Sequence, residues 1–174
     1  KDRNAGAWTD IGFVGNAAGR DAIATGTYSK TILFKDFPSF NANNSYSLGV
    51  ELGDVKDGGT VTLTLDNITF LTSAVYEDFE AMTDEQAKEF FPDNKDLASY
   101  SIGVKDGVGE GGSKGLELDM GFYPGSAADN GWGWLNVQTG ELPIKDAVGI
   151  RIWYTLNVDT ASAATMRLTL KDRN

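Results

Sequence analysis

The sequence predicts an all-β fold, a two-sheet antiparallel sandwich with one short surface helix. Runs with period-2 alternation recur along the 174 residues, and they are separated by turn residues drawn from 21 glycines and many Thr, Asn and Asp. Only one stretch has helical form, and cysteine is absent, so a chain of this length is expected to close one core without disulfides.

In chain order, Ala7 to Val14 reads as a strand and Gly15 to Gly26 as a polar loop. Tyr28 to Phe34 is a strand that Pro38 ends. Tyr46, Leu48, Val50 and Leu52 share one face of the next strand, with Ser47, Gly49 and Glu51 on the other, and Asp57-Gly58-Gly59 supplies a turn. Val61, Leu63 and Leu65 then have one parity and Ile68 and Phe70 the other. A parity flip at Asp66-Asn67 predicts a β-bulge, which can aim a carboxylate out of the sheet. Tyr76 to Glu80 is a second run, which a hairpin would pair back onto the first.

Thr83-Asp84-Glu85-Gln86 has the capping-box form, and the helix it starts ends at Pro92, with Phe90 and Phe91 as a lid on the core. Ala98 to Val104 is a strand and Gly107 to Gly112 a flexible turn. Leu116, Leu118, Met120 and Phe122 face inward, opposite Glu117, Asp119 and Tyr123. Val148, Ile150, Ile152, Tyr154 and Leu156 form another inward stripe, opposed by Arg151 and Trp153, and Met166 to Leu170 is the last strand, with Arg167 and Thr169 on its second face. The total is nine or ten strands in one domain, residues 1–174.

Composition narrows the function. Without histidine or cysteine, the serine triad, thiol nucleophiles and zinc sites are excluded, which leaves carboxylates, lysines and tyrosines for proton chemistry. A net charge of −10 disfavours nucleic acid or an anionic membrane as partner. No apolar run has the length of a membrane span, and Lys1-Asp2-Arg3-Asn4 has no signal-peptide core. The same tetrapeptide recurs at Lys171-Asp172-Arg173-Asn174, as one period of a tandem array or a circularly permuted domain would show.

The carboxylates Asp66, Glu77, Asp78 and Glu80 would meet if the two runs pair, which suggests an oxygen-rich calcium site; the alternative is a solvated acidic edge. Trp132 and Trp134 share a parity and on a strand would stand about 7 Å apart, either as flat platforms for sugar rings or as core. Trp153 is a platform or packs under a loop. Glu117-x-Asp119 puts two acids on one face, the basis of an enzyme reading as a jelly-roll β-glucanase, but position 122 is Phe122 where a third carboxylate is required.

Read from Val75 to the end and then from Ala5 to Ser73, the order of elements resembles the family-eleven carbohydrate-binding modules of plant cell-wall-degrading enzymes. The pieces are Tyr76-Glu77-Asp78-Phe79-Glu80, Gly115-Leu116-Glu117-Leu118, Gly131 to Trp134, Val148 to Trp153, Tyr28 to Phe37, and Thr64-Leu65-Asp66-Asn67-Ile68. Residues 75–174 match the N-terminal part of the family and 1–74 its C-terminal part. The resemblance implies a jelly roll, with no catalysis of its own, that targets a secreted, multimodular polysaccharide-degrading protein to cell-wall β-glucan or xyloglucan. It also implies a structural calcium on Asp66 and Glu80, to which the acidic cluster adds Asp78, and a glycan cleft lined by Trp132, Trp134, Tyr123, Arg151 and Asp119, to which the outward parity of Trp153 adds a further candidate. An adhesion or scaffold module without a sugar site is the third reading.

Overall fold

The computed structural model describes residues 10–14, 21–37, 46–53, 55, 57–71, 74–91, 97–124, 135–139 and 146–172. They form a mainly β structure of two antiparallel sheets and one short helix. The five-stranded sheet takes β1 (Asp10–Val14), β11 (Thr165–Asp172), β4 (Tyr46–Gly53) and β9 (Leu135–Gln138) in that order, and the two-residue β2 (Asp21–Ala22) pairs with β11. In the six-stranded sheet the order is β3 (Gly26–Leu33), β10 (Gly149–Asp159), β5 (Thr60–Phe70), β8 (Gly115–Gly121) and β7 (Ser99–Lys105), with β6 (Ala74–Glu77) paired to the end of β5. Both sheets mix strands from residues 1–74 with strands from 75–174.

Alternation explains why these sheets share a core. Leu48, Val50 and Leu52 of β4 and Met166, Leu168 and Leu170 of β11 are fully buried, in one cluster with Val61, Leu63 and Leu65 of β5, Leu116 and Leu118 of β8, and Ile150 and Ile152 of β10. Non-directional burial of such stripes is the main favourable term in folding. These buried positions are those the period-2 pattern selects, except that Val148, expected at the head of the stripe that continues with Ile150, lies before its strand and is 62 % exposed.

The bulge is where the parity flip puts it. Arg151 faces Thr69 and Trp153 faces Asp66, so β5 spends one more residue than β10 across that step. Asn67 absorbs it at φ 48°, a left-handed conformation that asparagine tolerates better than most residues. The helix α1 (Asp84–Phe90) has the predicted capping box: Thr83 Oγ1 accepts from Gln86 N at 3.3 Å and Gln86 Oε1 accepts from Thr83 N at 2.9 Å. Phe91 is fully buried and Phe90 half-buried against Phe79, as a lid requires.

Asp57 ties together two loops that pass between the sheets, β4 to β5 and β10 to β11. Its carboxylate accepts from Thr160 Oγ1, from the main-chain N–H of Ala161 and, at 2.8 Å, from that of Ser162. These donors, the Thr160 hydroxyl first, hold its carboxyl well below the usual range. Among the described residues, no helix is long and apolar enough to cross a membrane.

Candidate functional site

The outward positions of the two sheets are polar, and the described site residues gather on the six-stranded one. On the six-stranded sheet, Asp119, Arg151 and Trp153 all alternate away from the buried stripes of β8 and β10. Asp119 Oδ1 accepts from Thr62 Oγ1 at 2.7 Å, and its other oxygen lies 3.7 Å from Lys105 Nζ, which also bonds Glu117. Glu117 first and Asp119 second raise the Lys105 ammonium above its ordinary value, so one lysine is counter-ion to both acids of the enzyme reading.

Trp153 is 9 % exposed, which leaves little ring face for a sugar and favours the packed role over the platform. Tyr123, 50 % exposed, stands just past β8, with Phe122 turned into the core. Trp132 and Trp134 lie outside the described residues. The strand that Trp134 directly precedes, β9, belongs to the five-stranded sheet, so it does not neighbour the strands carrying Asp119 and Arg151.

Arg151 is engaged by a carboxylate beyond the sheet. Its Nη2 donates to Glu110 Oε1 at 2.6 Å, and Asn67 Nδ2 donates to Glu110 Oε2 at 2.8 Å. Arg151 first, with Asn67 in support, holds the Glu110 carboxyl below its ordinary value. The segment Gly109 to Lys114 is thereby clasped to the sheet, where glycine content alone reads as a flexible turn.

Asp66 clasps the same segment from the bulge. It is 1 % exposed, and its carboxylate accepts from Asn67 N at 2.7 Å, Glu110 N at 2.7 Å and Ser113 Oγ at 2.8 Å. Glu80 reaches the far end, where Oε1 accepts from Lys114 N at 2.8 Å. Asp78 and Glu77 instead cap their own turn, accepting from Glu80 N at 3.2 Å and Phe79 N at 2.8 Å. Among the described residues, no three carboxylates are grouped as a metal would need, so the four-carboxylate cluster does not form there. What converges is mixed oxygen: a Cβ on Gly109 would stand 2.5 Å from Asp66 Oδ2, 2.5 Å from Ser113 Oγ and 2.6 Å from the Lys114 carbonyl oxygen. One carboxylate, a hydroxyl and a carbonyl oxygen meet there, with Glu80 held nearby on the Lys114 N–H, and Gly109 is the residue that lets them approach.

The outer face of the five-stranded sheet carries a pair that alternation placed but did not single out. Arg167 and Glu51 are opposite each other in the β11–β4 register, and Arg167 Nε and Nη2 reach the two Glu51 oxygens at 3.1 and 2.6 Å. Their side chains are 13 % and 8 % exposed. The floor around them is small and buried: Gly49, Gly53, Ser47 and Thr169. Next to β4, Asn136 of β9 is opposite Glu51 and Gln138 is opposite Gly49.

Compared with protein-family profiles, with curated proteins and with solved structures, the chain matches none.

Proposed function

We propose that the chain is a non-catalytic carbohydrate-binding module with jelly-roll topology, which holds a secreted polysaccharide-degrading protein on plant cell-wall β-glucan. The observation that carries this reading is the position of β9. It runs beside the Glu51–Arg167 row directly after Gly131-Trp132-Gly133-Trp134, and both tryptophans have the sequence parity of Asn136 and Gln138. Sugar recognition needs flat aromatic platforms beside polar groups, and the two tryptophans immediately precede the strand that borders the buried Glu51–Arg167 pair.

A structural calcium on Asp66 and Glu80, with Ser113 and Lys114 oxygens, belongs to the same proposal; when bound it would fix the 109–114 segment. The glucanase alternative has Glu117 and Asp119 sharing Lys105, an arrangement that serves charge balance.

Trp132→Ala and Trp134→Ala test the reading. Each is expected to weaken binding to mixed-linkage β-glucan while the melting temperature stays nearly constant, from a starting affinity of about −4 to −8 kcal/mol, millimolar to micromolar. Retained binding in both folded variants would remove these residues from the site. A loss of about 3–5 kcal/mol of stability would make them core.

A further inference from the structure

The outer face of the six-stranded sheet, opposite the surface just assigned, is open along β7 and β8. Two adjoining hollows of about 290 and 200 Å³ lie along β7 and β8 and share Ser101 and Asp119. Their floor is made by short side chains. A Cβ on Gly121 would meet Ser99 Oγ at 2.4 Å, and one on Gly103 would meet Asp84 Oδ1 at 2.9 Å, so glycine at both positions keeps the trough low. Helix α1 walls the smaller hollow through Asp84 and Lys88, with Asp84 Oδ1 fixed by the Val104 N–H at 3.0 Å. On the other side stand Glu117, Asp119 and Lys105, joined by ion pairs, with Asp119 also bonded by the Thr62 hydroxyl of the larger hollow.

From this geometry we infer a second carbohydrate-binding surface, which takes a further stretch of the same neutral polysaccharide on the opposite side of the domain; it rests on the carbohydrate-binding reading above. An apolar partner would bury hydroxyls and charges without gain, and an anionic one meets three carboxylates against two lysines in the smaller hollow. Sugar hydroxyls both donate and accept, which matches a lining of serine and threonine hydroxyls, carboxylates and an ammonium held in place before the ligand arrives. Tyr123, half-exposed, follows Gly121 of the larger hollow by two residues. Two surfaces on one domain would act on a long polymer through effective concentration, a gain that a short oligosaccharide cannot show.

Calorimetry with a mixed-linkage glucan hexasaccharide tests the inference. Two hexasaccharides per protein are expected, falling to one in Asp119→Ala and in Ser101→Arg, which fills the shared middle of the trough. Both substitutions are at solvent-facing positions and should leave the melting temperature unchanged. Retardation in a β-glucan gel should weaken by about tenfold or more in the same variants. One hexasaccharide per protein, lost with Trp134→Ala and untouched by the trough variants, overturns the second surface alone. Two per protein, indifferent to both trough variants, also overturns it. No binding by the wild type overturns the carbohydrate reading and this inference together.

Discussion

Arg167→Met is expected to destabilise the protein by about 3–5 kcal/mol, the largest single effect here, because it leaves Glu51 charged, 6 % exposed and without its bidentate partner. Removing both charges together should recover most of the loss. Glu51→Leu with Arg167→Met fills similar volume with apolar groups, and replacing a buried ion pair in this way is often neutral or stabilising. Urea denaturation of the two singles and the double gives the coupling directly. If the double also loses glucan binding while staying folded, the pair is kept for the ligand more than for stability. A single-variant cost under about 1 kcal/mol would mean the pair behaves as a solvated surface bridge.

Asp66→Ala should cost about 2–4 kcal/mol, because the Asn67 and Glu110 N–H groups and the Ser113 hydroxyl lose their acceptor at a carboxylate that is 1 % exposed. The same variant separates hydrogen bonding from metal binding. A cation bound only by the folded state raises its apparent stability by mass action, so chelator should lower the wild-type midpoint and leave that of Asp66→Ala unchanged. A wild-type midpoint indifferent to chelator and to added calcium removes the metal, and the cost of losing Asp66 then measures the hydrogen bonds alone.

What was legible in the sequence was whatever a single strand or turn decides for itself. The buried stripes of β4, β5, β8, β10 and β11, the bulge at Asn67 and the capping box at Thr83 each follow from residues a few positions apart. Strand order is not local. Glu51 and Arg167 were both visible as outward-facing residues, but only the β4–β11 register, across more than a hundred positions, makes them a pair. The contact of Arg151 is hidden for the same reason: its outward parity is legible, but its partner Glu110 lies in a glycine-rich turn that looks flexible until Asp66, Asn67, Glu80 and Arg151 are seen to close on it. The four carboxylates near the bulge were close in sequence, which suggested a cluster. Asp78 and Glu77 instead accept from main-chain N–H groups of their own turn, where Phe79 takes φ 60°.

The central claim is that this domain binds β-glucan and does not cleave it. Affinity electrophoresis of the folded wild-type protein through gels containing mixed-linkage β-glucan or xyloglucan, with reducing-sugar release assayed on the same polymers, tests it most directly. Retardation in at least one of the two gels, without release of reducing ends, is the predicted result. Unretarded migration in both gels, or release of reducing ends that Glu117→Gln or Asp119→Asn abolishes, would contradict it.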